Sequence, residues 1–135
     1  MTKVKLLLPI LMAAAVVATG LPALAHHSAG STYDMSHEIK LKGKIVQISI
    51  RTPHSFFFVE APDEKGAVQR WAIEGAAAGQ FARQGIDQDS FKVGDPVEIV
   101  ARPARSPDSP RGLLVRIVRT TDGKSWGTKP DEQVN

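Results

Sequence analysis

The alternation of hydrophobic and polar residues predicts five β-strands in the central part of the chain. A strand with one buried face repeats its hydrophobic residues at every second position. An alanine-rich stretch at residues 75–85 breaks this period and closes on Gly85, which predicts a short helix with a glycine cap. The predicted strands lie within residues 39–51, 54–61, 68–74, 91–105 and 113–121.

The first strand changes parity halfway along its length. Leu41, Gly43 and Ile45 share one face. Val46, Ile48 and Ile50 share the opposite face. A bulge or sharp bend near Ile45 would bring both hydrophobic sets to the same side, and long coiled strands of small barrels often contain one. We therefore predict a bulge at this point.

The order of these elements predicts the fold class. Five strands, a short helix between the third and fourth, and a long bent first strand are typical of the OB-fold, a partly open Greek-key barrel. We predict a mainly β protein with a small five-stranded OB-like barrel at residues 39–121, and an SH3-like or other small barrel is the alternative. Residues 26–38 are predicted to be an extended arm, and residues 122–135 a flexible tail.

The first 25 residues have the pattern of a cleaved secretory signal. Lys3 and Lys5 precede an apolar run that ends in Ala23-Leu24-Ala25, a small-residue triplet typical of signal peptidase sites. Two prolines and a glycine interrupt the run, which disfavours a retained membrane anchor, the alternative. The pattern predicts an exported, periplasmic protein that begins at His26 and keeps no stable membrane span.

Charge and cysteine content narrow the function classes. Without Lys3 and Lys5, 15 basic residues face 14 acidic ones (17 − 2 against 14), so the predicted mature chain is nearly neutral. Nucleic acid is therefore not an expected partner, because its binding depends on a basic face. The absence of cysteine excludes disulfides, thiolate metal sites and cysteine nucleophiles.

The histidines are the strongest candidates for chemistry. If His26 is the mature terminus, its amine and its imidazole can chelate one metal ion, and one more imidazole completes a three-nitrogen site that suits copper. His54, after Pro53, is the favoured third donor, with His27 and His37 as alternatives. We predict a metal site of His26, His27 and His54 for copper or zinc. In the competing interpretation these histidines are solvated surface residues.

Other residues carry weaker signals. The serines lack the G-x-S-x-G context of a nucleophile and the acids show no pairing, so no enzymatic activity is expected. Phe56, Phe57, Phe58 and Trp71 are assigned to the core, although aromatic residues also form stacking platforms. The alternatives to a metal protein are a small-molecule or protein-partner binding module of the cell envelope, or an adaptor that pairs through its edge strands.

Four segments resemble a domain-of-unknown-function family of small exported bacterial proteins. They are "AHHS" after the signal, "TPHSFF" after the first strand, "WAIE" in the third strand and "DSFKVGDPVEI" before the fourth. The family pattern has a phenylalanine after His-His-Ser and an asparagine before Pro-His, where this chain has Ala29 and Thr52. The resemblance implies a periplasmic barrel of OB type and no established activity.

Overall fold

The computed structural model describes residues 29–127. Its elements are α1 (Ala29–Thr32), β1 (Ile39–Ser49), β2 (Ser55–Pro62), β3 (Val68–Gly75), α2 (Ala78–Arg83), β4 (Pro96–Pro103), β5 (Arg111–Arg119) and β6 (Ser125–Gly127). The predicted signal segment and the predicted ligands His26 and His27 lie outside the described residues.

Strand pairing closes the sheet into a barrel. The strands follow the order β3-β2-β1-β4-β5-β6, and a parallel pairing of β3 with β5 joins the two sides. This closed five-stranded barrel with a short helix between β3 and β4 confirms the predicted OB-like fold. The long β1 makes closure possible because its first half pairs with β4 and its second half with β2.

The predicted bulge is present in β1. Ile45 pairs with Val59 and Gln47 pairs with Phe58, so Val46 has no partner in the β1–β2 register. The extra residue shifts the side-chain parity, and Ile48 packs against the core on the same side as the fully buried Ile45. The bulge prediction is therefore confirmed. The bulge allows hydrophobic side chains on both sides of it, Ile45 and Ile48, to face the core.

Helix α2 closes one end of the barrel. Its Phe81 is fully buried and meets the edge of the Phe57 ring at a centroid distance of 6.0 Å. The helix ends where Gly85 adopts φ +74°, and the amide of Ile86 donates to the carbonyl of Phe81. This Schellman arrangement, with Ile86 and Phe81 both buried, explains why a helix of only six residues forms here.

The assignment of all three adjacent phenylalanines to the core is wrong. Strand β2 alternates regularly, so Phe57 and Val59 are fully buried, while Phe56 and Phe58 are half-buried on the outer face. Trp71 is partly buried and packs against the core. When a strand is apolar on both faces, its sequence does not show which face lies on the outside of a closed barrel.

Both flanking segments contain structure beyond the predicted arm and tail. In the arm, residues 29–32 form one turn of helix and Tyr33 makes a β-bridge to Ala104. In the tail, β6 pairs with β5, and Trp126 packs on the Phe81 ring at a centroid distance of 4.6 Å. Packing of Tyr33 and Trp126 against the barrel explains why these two segments are structured although they lack hydrophobic periodicity. No helix within residues 29–127 has the length and hydrophobicity needed to cross a membrane.

Candidate functional site

Glu74 is the centre of a cluster, within residues 29–127, that joins the predicted site residue His54 to the arm. It lies near the end of β3, and its side chain is 16% exposed. One carboxylate oxygen contacts the imidazole of His54, and the other contacts the hydroxyl of Tyr33 and the guanidinium of Arg111. We call His54, Glu74, Tyr33 and Arg111 the Glu74 cluster.

The β1–β2 loop presents His54 to this cluster. The loop contains a cis Thr52–Pro53 bond, and the fully buried Ser55 closes it. The Ser55 hydroxyl accepts from the Arg51 amide at 3.1 Å and donates to the Arg51 carbonyl at 3.2 Å. Both backbone groups of Arg51 are thereby held, which limits the directions His54 can take.

The contact with Glu74 determines which nitrogen of His54 is available. Nδ1 lies 3.1 Å from Oε1 of Glu74, and an ionised carboxylate can only accept a hydrogen bond. A proton on Nδ1 is the favourable arrangement, because an Nδ1 lone pair would repel the carboxylate oxygen at this distance, and in the neutral ring the lone pair is then on Nε2. Carboxylates hold metal-binding histidines in this way, because the partner fixes both tautomer and ring orientation. The side chain of His54 is 58% exposed, so Nε2 is open to solvent.

Tyr33 attaches the arm to the barrel beside His54. It is 2% exposed, and its hydroxyl donates to Oε2 of Glu74. The amide of Asp34 donates to the Pro103 carbonyl at 2.8 Å, and the side chain of Arg105 donates to the Gly30 carbonyl at 2.7 Å. Burial, together with the negative charge of Glu74, raises the pKa of the Tyr33 phenol above its usual value of about 10.

Arg111 places a positive charge beside the Glu74 carboxylate. Its guanidinium lies 3.9 Å from Oε2 of Glu74, at the start of the strand that closes the barrel against β3. The Glu74 carboxylate thus faces three donors, and no second carboxylate of the described residues contacts it.

His37 forms a separate pair with Asp34. Its Nδ1 lies 3.0 Å from Oδ2 of Asp34, and its side chain is 57% exposed. Hydrogen bonds from Ser36, more than the one from His37, lower the pKa of Asp34 to about 2. The pair closes a local turn, and its hydrogen bonds join Asp34 to Ser36 and His37.

The structure does not test the predicted set of three metal ligands. Among residues 29–127, no three histidine, aspartate or glutamate side chains converge on one point. Of the three predicted ligands, the described residues include His54, and His26 and His27 precede them. The proposed three-histidine site stays a prediction.

Sequence reasoning missed three members of the cluster. Glu74 and Arg111 stand in no sequence pattern that marks a site, and Tyr33 lies in a segment with no hydrophobic period. The one available signal was Tyr33 itself, the single tyrosine of the chain, in an otherwise small and polar arm. The pairing of β3 with β5, which has no local sequence signature, brings these residues together.

Comparison with known proteins gives a family and no activity. The model of a family described as "Family of unknown function (DUF6152)" matches residues 14–113. No curated protein and no solved structure matches the chain. The match agrees with the resemblance to a domain-of-unknown-function family.

Proposed function

For this chain, which belongs to the DUF6152 family of unknown function, we propose a non-enzymatic, exported metal-binding protein of the periplasm. His54 is the barrel donor, and the amino-terminal His26 and His27 supply the others. The metal is a divalent ion of the copper or zinc class, since neutral imidazole and amine nitrogens are suitable donors for both. The observation that carries the proposal is the Glu74 carboxylate, which contacts both His54 and the docked arm.

The first support is the orientation of His54. Its Nδ1 faces Glu74, so Nε2 is free to act as a metal ligand, and the partly buried carboxylate restricts the orientation of the ring. A surface histidine without this partner would rotate freely and would lose more entropy on binding.

The second support is the short distance along the chain between the docked arm and the histidines. Tyr33 lies seven positions after His26 and six positions after His27. At most about 3.6 Å per residue, this length spans no more than about 25 Å from a side chain that shares its carboxylate with His54. Chelation is then intramolecular, and the docked arm lowers its entropic cost.

Calorimetric titration with Cu(II) and Zn(II) tests the proposal on periplasmic protein whose terminus is established by intact mass. We expect one ion per chain, and His54→Ala should weaken binding by at least about tenfold. His37→Ala is the matched control, because its side chain has the same exposure and also contacts a carboxylate. Unchanged affinity in His54→Ala, or an equal loss in both variants, would contradict the proposal.

Two further variants separate ligands from their support. Removal of His26 and His27 should abolish tight binding, whereas Glu74→Gln should weaken it by about tenfold and leave the stoichiometry unchanged. Affinity should also fall with decreasing pH, since protons compete for the imidazoles and the amine. Full affinity after removal of both histidines would exclude the amino terminus as the site.

A second candidate function is a ligand-binding module without metal. The specific observation in its favour is the outward position of Phe56 and Phe58 on β2.

A further inference from the structure

The second half of β1 has a hydrogen-bonding edge that no other strand covers. On one side β1 pairs with β2 as far as Ser49, but on the other side its pairing with β4 ends at Lys44. Ile45 continues that side by bonding to Gly94 and Asp95 in the loop before β4. Within residues 29–127 no further strand pairs with β1. We call residues 46–50, along the side away from β2, the β1 edge.

The sheet register shows that the backbone groups of Ile48 point to this edge. The amide of Ala72 donates to the carbonyl of Pro110, so Ala72 faces β5 and its neighbour Ile73 faces β2. Ile73 is opposite Phe57, which therefore uses its own N–H and C=O groups toward β3. Phe57 is also opposite Ile48, so the N–H and C=O groups of Ile48 point away from β2. One donor and one acceptor on a strand edge match the backbone of another extended chain.

A groove leaves this edge open. Its volume is about 300 Å³, and it is lined by Ile48, Ser49, Ile50 and Gln88. Ile48 and Ile50 pack against the core but are only half-buried. The loop between α2 and β4, which carries Gln88, therefore borders the β1 edge and does not replace a neighbouring strand.

The charges of β1 lie in the half that β4 covers. That half contains three lysines, whereas residues 45–50 read IVQISI and contain no charge. Exposed edge strands of natural proteins commonly carry charged residues, lysine above all, which oppose pairing with another chain. The β1 edge lacks this protection, and the absence of charge favours an uncharged partner strand.

The order of side chains along the β1 edge selects a second copy of this chain as that partner. A two-fold axis at Ile48 places Val46 opposite the second copy's Ile50 and Gln47 opposite its Ser49. Apolar residues then meet apolar residues, polar meet polar, and the two strands run antiparallel as the axis requires. We propose that two copies pair through their β1 edges about Ile48, so that the two Ile48 residues exchange both backbone hydrogen bonds and one sheet runs through both barrels.

The proposed dimer is weak and independent of metal. Five residues from each copy form a contact smaller than stable dimers need, so the dimer forms at high concentration. The contact uses neither His54 nor any other member of the Glu74 cluster. The copper and zinc titrations and the association measurement can therefore fail separately.

Sedimentation of the mature protein, freed of metal with a chelator, tests the association. Between about 10 µM and about 1 mM we expect the mean molar mass to rise toward that of two chains. The amide chemical shifts of residues 46–50 should change over the same range. A monomer at every concentration would overturn the proposal and leave another extended chain as the occupant of the β1 edge.

Two double variants at the same positions test the register. Gln47→Glu with Ser49→Glu places like charges opposite each other on both sides of the axis, and association should weaken roughly three- to tenfold. Gln47→Glu with Ser49→Lys is the matched control, because it places opposite charges there and should associate at least as well as the native chain. In both variants the carboxylate at position 47 can still accept from Arg70, as Gln47 does.

Thermal unfolding shows whether both variants keep the barrel. Equal association of the two double variants would contradict the pairing about Ile48. So would concentration-dependent shifts that lie away from residues 46–50.

Discussion

At the scale of single residues, one carboxylate determines the geometry of the site. Glu74 fixes the tautomer of His54, accepts from Tyr33 and is compensated by Arg111. Each contact is modest alone, but charge-assisted hydrogen bonds in a partly buried position are stronger than exposed ones. The arrangement explains how an arm without an extended hydrophobic face is held against the barrel.

Because Tyr33 is the single tyrosine of the chain, its contact with Glu74 can be measured. Ultraviolet absorbance during an alkaline titration reports Tyr33 alone, and we expect ionisation above the usual pKa of about 10. Glu74→Gln should lower this pKa part of the way, because burial persists when the charge is removed. The neutral phenol contributes stability that is complete below pH 10 and is lost as pH rises further, since the unfolded chain then binds fewer protons. An ordinary pKa in native protein would show that the arm is undocked.

At the scale of elements, short segments are stable only through their contacts. Helix α2 has no side-chain cap at its start, and β6 has only three residues. Each supports the other, because Trp126 of β6 packs on Phe81 of α2. Isolated helices of this length are unstable in water, so tertiary packing supplies most of their stability.

Trp126→Ala tests this dependence. We expect a loss of about 2 kcal/mol in the free energy of unfolding, below the usual loss for a fully buried tryptophan because Trp126 is partly exposed. Urea denaturation measures the loss, and hydrogen exchange should show faster opening of α2. Val93→Ala, at a side chain that is 66% exposed, should leave both nearly unchanged. Equal stability of the two variants would mean that β6 does not support α2.

At the scale of the whole molecule, barrel closure requires close approach of β1 and β2. A Cβ atom at Gly43 would overlap the carbonyl oxygen of Glu60 and lie 2.9 Å from the Cβ of Ala61. The obstacle is backbone, so the strands would have to separate. In contrast, a Cβ at Gly79 in α2 would meet nothing within 4 Å.

This difference predicts that alanine substitutions at the two glycines change the stability of the barrel in opposite directions. Gly43→Ala should destabilise the barrel by about 1–3 kcal/mol through overpacking. Gly79→Ala should stabilise it by roughly 0.5–1 kcal/mol, because alanine is the better helix former. Thermal and urea denaturation measure both, and a tolerated Gly43→Ala would contradict the described register of β1 and β2.

The sequence by itself determined the five strands of the barrel, the helix with its glycine end, the bulge near Ile45 and the OB-like class, because hydrophobic period and turn chemistry are local properties. It also selected His54 as a candidate metal ligand, which stays a prediction. Only the tertiary structure decided that Phe56 and Phe58 face outward and that Tyr33, Glu74 and Arg111 surround His54. These residues are distant in sequence, and they meet through barrel closure and arm docking. Both depend on the summed packing of the whole chain, which no short segment encodes.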